Sequence, residues 1–321
     1  MPRTKEIDAF LDSVGWGDAE RRLLPGDAST RRYVRLVHGP NVAMLLDQPQ
    51  GAETAACPPD ASDETRLKLG YNAIARLAGP DTRQFAAIAA ELNAMGLSAP
   101  KILAADYPKG LLLTEDLGDA RFADIIRDGV PEAPLYAAAV ETLVELHANR
   151  APFELKGAKD VAAHLLPYDR LALTAEVELL PEWFFPVASG AACPPGARES
   201  YRNAWAQVLT GLSALPPVMT LRDYHAENLM WLPHRGGVAR VGLLDFQDAL
   251  AGSPAYDLIS LLEDARRDVA PELAEAMTAH YVARRRARER NFDEAALRQD
   301  AAILAAQRNA KIIGIFARLW K

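Results

Sequence analysis

"LRDYHAENLMWL", residues 221–232, sets Asp223 and Asn228 five positions apart between apolar shoulders. Two readings compete. Asp and Asn are turn formers that cap their own backbone, so the stretch could be a solvated loop. Alternatively, a carboxylate base and an amide ligand are held on a rigid loop. A second stretch, "VGLLDFQD" (241–248), bears on the choice, because Asp245 ends an apolar, strand-like run seventeen positions after Asn228. A base that takes a proton from a substrate hydroxyl needs a fixed position near the reacting phosphorus and a cation system beside it. Mg²⁺ is content with one or two protein oxygens plus phosphate oxygens and water. One base, one amide and one carboxylate meet that requirement.

The rest of the chain gives this trio a setting. Residues 8–16 read as a short amphipathic helix, and "GDAST" (26–30) as a turn. "RRYVRLVH" and "NVAMLLDQ" are β-type runs joined by Gly39-Pro40, a hairpin signal. A Pro- and Ala-rich surface loop covers 49–64, followed by helical periodicity over 65–78 and over 81–95, where Gly96 ends it. "KILAAD" and "GLLLTEDLG" read as two more strands. After Gly118 the pattern turns helical, over 132–150, 168–185, 197–214 and from 254 onward, interrupted by strand-like "VMTLRD" and "ARVGLLDF". The plan is α+β and bilobal: a small sheet-containing lobe over 1–117 and a larger, mainly helical lobe over 118–321. A ligand would sit at the seam between them.

Composition narrows the function classes. The 321 residues are 50% hydrophobic and 25% charged, enough for a sizeable core. A net charge of −7 with a pI near 5.5 is a poor global field for nucleic acid or anionic membranes. The basic run "ARRRARER" (283–290) reads as a solvated helix face. Cys57 and Cys193 lie in no zinc-like spacing and are too few for a disulfide scaffold. With no signal-type N-terminus and no apolar run of spanning length, the sequence reads as a soluble, reduced, cytoplasmic monomer.

Asp-x4-Asn followed by Asp-Phe reproduces the catalytic-loop and metal-loop order of the protein-kinase-like superfamily. Over nearly its whole length the chain resembles the aminoglycoside phosphotransferase-type kinases, built on the bilobal protein-kinase fold with a small antiparallel sheet. "GDASTRRYVRL", "RDYHAENLMWL", "GLLDFQDALAGSPAYDLISLLEDARRDV" and "QRNAKIIGIFARL" resemble one branch most. These are the anomeric kinases of N-acetylmuramate and N-acetylglucosamine in peptidoglycan recycling. The resemblance implies ATP and Mg²⁺, with Asp223 as base toward the C1 hydroxyl and Asn228 and Asp245 as metal ligands. It implies that Ser29, Thr30, Arg31 and Arg32 cover the phosphates, and that Glu115, Asp116 and Leu117 form the adenine hinge. Glu91 stands where kinases keep a helix glutamate. Asp257 stands where a buried aspartate supports the catalytic loop.

Two departures stand out. "NVAMLLDQ" has no lysine where kinases pair one with the α- and β-phosphates, leaving Arg31, Arg32 and Arg35 as substitutes. Leu221 replaces the usual catalytic-loop histidine, and His225 follows two positions after Asp223, as loop support or sugar contact. A muramate substrate carries a carboxylate, for which Arg308 and Lys311, on one helical face, and Arg318 are candidates; otherwise they only cover the last helix. The alternatives are a kinase of aminoglycosides or of small alcohols such as choline or homoserine, and a catalytically dead pseudokinase.

Overall fold

The computed structural model describes residues 2–24, 31–49, 56–155, 161 and 163–321. Helix α1 (Pro2–Ser13) leads into five antiparallel strands: β1 (Glu20–Leu23), β2 (Arg32–His38), β3 (Asn41–Asp47), β4 (Ile102–Asp106) and β5 (Leu111–Glu115). Their order in the sheet is β1-β2-β3-β5-β4. His38 pairs with Asn41, so Gly39-Pro40 is a two-residue turn, and Gly39 adopts φ +60°. Glycine at the first central position of such a turn is what a right-twisted hairpin requires.

The apolar run "LLL" in β5 is explained by cover on both faces. Alternation sends Leu111 and Leu113 to a cluster with Phe10 and Leu11 of α1. Leu112 points the other way, into the main core with Leu46 of β3. Between β3 and β4 lie α2 (Asp63–Leu69), α3 (Tyr71–Ile74) and α4 (Thr82–Ala94). The single helix expected over 65–78 is broken because Gly70 takes φ +96°, a conformation that ends α2. Helix α4 starts where Asp81 accepts a hydrogen bond from the Arg83 amide and ends before Gly96 at φ +79°. Its buried face, Phe85, Ile88 and Leu92, joins the same core as the helices that follow Gly118.

That second part holds α5 (Phe122–Arg127), α6 (Glu132–Leu146), α7 (Arg170–Val177), α8 (Phe185–Ser189), α9 (Pro195–Val208), α10 (Ala255–Leu262), α11 (Pro271–Arg288) and α12 (Glu294–Trp320). Its short strands are β6 (Glu154–Leu155), β7 (Ala163–His164), β8 (Val218–Thr220), β9 (Leu229–Trp231), β10 (Val241–Leu243) and β11 (Leu250–Gly252). They pair as β6–β7, β8–β11 and β9–β10, all antiparallel. Among the described residues, no helix is long and apolar enough to cross a membrane.

Two expectations change here. The basic run is not simply a solvated face: Arg284 and Arg288 pair with Glu141 and Glu145 of α6, and Arg286 with Glu294 of α12. Arg285 is buried and donates to the Tyr281 hydroxyl. The last helix is no surface cover at positions 307, 308 and 311, since Gln307, Arg308 and Lys311 are all buried.

Gly314 lets α12 sit directly on the chain at Leu179. A Cβ there would come within 2.7 Å of the Leu179 carbonyl oxygen, a contact that backbone cannot relieve cheaply. Gly314→Ala should therefore lower stability by about 1–3 kcal/mol despite alanine's better helix propensity. Urea unfolding of both proteins checks this, and an unchanged midpoint would show that α12 can shift without loss.

Candidate active site

Asp223 follows β8 on a loop whose shape is imposed from below. Asp257, fully buried on α10, accepts the Leu221 amide at 2.7 Å and the Arg222 amide at 2.9 Å. Ser260 Oγ donates to the Arg222 carbonyl at 3.1 Å. Held this way, Arg222 takes φ +72°, which a non-glycine residue adopts only when its surroundings compel it. The expected support role of Asp257 is thus visible as two hydrogen bonds. Tyr224, the next residue along, is pinned by its hydroxyl to the Ala139 carbonyl at 2.9 Å.

The turn at Arg222 sends its guanidinium into the helical core. There it pairs with the fully buried Glu176 of α7 and lies 5.1 Å from the Tyr168 ring. Glu176 also takes Lys311 Nζ at 3.1 Å, Gln307 Nε2 at 2.9 Å and the Tyr168 hydroxyl. Burial alone would raise the Glu176 pKa, but Lys311, Arg222, Tyr168 and Gln307 hold it below its ordinary value.

Strand pairing places Leu244, the residue before Asp245, opposite Asn228. β9 and β10 register Leu229 opposite Leu243, and the Leu244 amide donates to the Asn228 carbonyl at 3.0 Å. Asn228 and Leu244, which flank that short ladder, therefore lie side by side, with Asp245 one residue further on. Asn228 Nδ2 donates to the Asp223 carbonyl at 2.9 Å, which turns its Oδ1 outward as an acceptor. Asp245 takes φ +55°, and the next residue, Phe246, is buried against Phe85 of α4, with ring centroids 4.7 Å apart.

The two carboxyl groups are driven apart electrostatically. Burial would raise Asp223, yet Lys311, Arg222 and Arg308 keep it below its ordinary value, joined by His225 when that ring is charged. Asp245 is pushed up to about 6, first by burial and then by the negative charge of Asp223, against the pull of Arg31 and Gln247. One group is thus a firmly ionised acceptor and the other is a carboxylate short of positive charge. Among the described residues no three His, Cys, Asp or Glu side chains converge to cage a metal. An amide oxygen and a carboxylate would suit Mg²⁺, which completes its shell with phosphate and water.

His225 is held in one tautomer. Arg266 Nη1 lies 2.8 Å from its Nε2, and an arginine can only donate, so the ring proton sits on Nδ1. That Nδ1 is buried with no hydrogen-bond partner. Burial lowers the His225 pKa, so the ring is neutral near pH 7.

The remaining expected residues fall in three places. Ser29 and Thr30 lie outside the described residues. Arg31 reaches Asp245, Arg32 is exposed on β2, and Arg35 pairs with Asp116 at 2.5 Å and with Asp119 at 2.7 Å. At the hinge, the Glu115 amide is already bonded to the Lys101 carbonyl at 2.8 Å, and the Glu115 carboxylate pairs with Arg235. Leu117 packs with Met230, Leu232 and Leu244 into a small apolar cluster beside Gly242. Among the described residues no ion pair involves Glu91. Arg308 donates to the Glu263 carbonyl at 3.1 Å, while Arg318 lies 5.7 Å over the Tyr71 ring. Sequence reasoning missed Glu176 and Arg266, whose only signal was a charge in an apolar or helix-end context. It also missed the flat apolar surface made by Met230 and Leu244.

The five-stranded antiparallel sheet followed by a mainly helical part is the architecture of the protein-kinase-like fold. A family profile described as "Phosphotransferase enzyme family" matches residues 21–291, and the chain belongs to that family. It is 46% identical over 314 residues to an N-acetylmuramate/N-acetylglucosamine kinase of Caulobacter vibrioides, covering 97% of this chain and 84% of that one. In fold it is similar to the GDP complex of an aminoglycoside 2'-phosphotransferase, with a TM-score of 0.59 at 11% identity over 99% of this chain and 92% of that one. A choline kinase from Streptococcus pneumoniae gives 0.55 at 14% identity over 97% and 99%.

The buried Glu176 centre generates a pH-dependent prediction. Glu176→Gln leaves Arg222 and Lys311 buried without a counter-charge and should cost about 3–5 kcal/mol at pH 7. Because the folded pKa of Glu176 lies below its unfolded value, its stabilisation is present above pH 4.5 and fades as pH falls through the folded value. The gap between the two proteins should therefore narrow on acidification below that point. Denaturant melts across pH 3–7 read it, and a constant gap would refute the charge-based account.

Proposed function

We propose that the protein is an ATP- and Mg²⁺-dependent kinase of the anomeric C1 hydroxyl of N-acetylmuramate and N-acetylglucosamine, acting as a cytoplasmic monomer in peptidoglycan recycling. The observation that carries the chemistry is the ionised Asp223 standing beside the Asn228 amide and the Asp245 carboxylate. The similarity to the Caulobacter kinase carries the substrate.

In this reading Asp223 accepts a hydrogen bond from the sugar hydroxyl and takes its proton as the bond to phosphorus forms. Asn228 Oδ1 and Asp245 hold Mg²⁺, which when bound neutralises charge on the phosphates. His225, buried and held by Arg266, supports the loop beside the sugar site. Arg308 and Lys311, occupied by Glu263 and Glu176, act mainly by keeping Asp223 ionised. Adenine lies on the apolar surface of Leu117, Met230 and Leu244, against the backbone of 115–117, and the division between lobes falls at 117/118. Ser29, Thr30, Arg31 and Arg32 line the phosphate side.

A cationic acceptor such as an aminoglycoside or choline is the second reading. The positive charge collected behind Asp223 disfavours it and suits a substrate bearing a carboxylate. Nucleotide consumption should therefore appear with N-acetylmuramate and N-acetylglucosamine and not with kanamycin or choline. Asp223→Ala should lower kcat by about a hundred- to ten-thousandfold. Asn228→Ala should chiefly raise the Mg²⁺ concentration needed for half-maximal rate. Equal turnover by wild type and Asp223→Ala, or none by either, would defeat the proposal and leave a binding protein.

A further inference from the structure

The missing strand lysine leaves a question of charge in the cleft. Among the described residues, the cation that does reach the candidate metal carboxylate is Arg31, 214 positions away in sequence. Its Nη1 donates to Asp245 Oδ1 at 3.1 Å, and its Nη2 lies 4.0 Å from Asp248 Oδ2. The arginine side chain is 12% exposed and the Asp245 side chain 38%, so the pair lies part-buried. Gln247 Nε2 donates to the same Oδ1 at 2.8 Å. The oxygen is thus taken by two N–H donors, one of them charged.

A divalent cation coming to Asp245 meets this guanidinium on the same carboxylate: the two positive charges repel, and one of the two oxygens already has its lone pairs engaged. Nucleotide phosphates change the balance. They offer a guanidinium planar oxygen pairs that it binds bidentately, better than a lysine could. Arg31 immediately precedes β2, and its long side chain can exchange one oxygen partner for another without moving the strand.

We propose that Arg31 is the resident counter-cation of Asp245 in the free protein, yielding that carboxylate to the metal and turning to the nucleotide phosphates in place of the absent lysine. The inference rests on the reading of Asp245 as a metal ligand. Its consequence is linkage: metal binds weakly alone, and nucleotide strengthens it beyond what direct phosphate coordination supplies, by removing the competitor.

The test titrates Mn²⁺ into nucleotide-free protein, followed by electron paramagnetic resonance. It is paired with calorimetric titration of ADP in the presence of EDTA. Arg31→Met should bind Mn²⁺ about three- to tenfold tighter than wild type and metal-free ADP about fivefold or more weaker, opposite changes from one substitution. Arg31→Gln, which keeps a donor without charge, should follow Arg31→Met, and Arg31→Lys should stay near wild type in Mn²⁺ affinity. A merely structural role would weaken both ligands or neither. Unchanged or weaker Mn²⁺ binding by both neutral variants overturns the inference. Asp245→Asn separates the two levels. If it loses Mn²⁺ while Arg31→Met gains none, the inference alone falls. If it binds Mn²⁺ like wild type, the ligand reading falls and the inference with it.

Discussion

Two hydrogen bonds to the Asp257 carboxylate determine the geometry of everything above them. They fasten the amides of Leu221 and Arg222 inside the protein, where those groups have no access to water. The left-handed turn at Arg222 costs on the order of 1–3 kcal/mol, and charge-assisted bonds to a buried carboxylate are strong enough to offset it. Because the backbone turns there, consecutive side chains separate. Arg222 goes down to Glu176, and Asp223 is left facing the cleft. The His147 ring, 3.6 Å from Asp257 and equally buried, fills the space behind the carboxylate.

The same cleft handles two carboxyl groups in opposite ways. Asp223 has a reservoir of positive charge behind it, in Arg222, Lys311 and Arg308. Asp245 faces Asp223 and Asp248 with Arg31 as its cationic partner. Pairs of titratable groups whose surroundings push them apart are how one site supports two chemical duties at one pH. In the proposed function the division is between proton acceptance and cation binding. Glu176 is central to it despite lying away from the cleft, since it is the anion that makes burying Arg222 and Lys311 tolerable.

The candidate residues could be picked out because they lie in two short stretches with distinctive spacing. Asp223, Asn228 and Asp245 are each set by local sequence, and the strand pairing that joins them needs only the apolar "LMW" and "VGL" runs. The fold class followed from strands giving way to helices. Other features depend on pairings that sequence order hides. Arg31 meets Asp245 across 214 residues, and Arg66 meets Asp169 across 103. The break at Gly70 was missed because helical periodicity continues through it, whereas backbone φ does not. The inward face of α12 was ambiguous because Arg and Lys on a terminal helix usually mark solvent, and only a buried glutamate from another helix reverses that rule.

Helix α12 also has an electrostatic consequence. Gln307 and Lys311 complete the shell around Glu176, and Lys311 leads the cations that keep Asp223 ionised. A chain ending at residue 300 would already contain Asp223, Asn228, Asp245 and the Glu176 partner of Arg222. It would lack Lys311 and Arg308, which hold Asp223 below its ordinary value, and Gln307, which completes the shell around Glu176. The backbone of the loop is thus set by Asp257 and Ser260, whereas its electrostatic setting depends on α12.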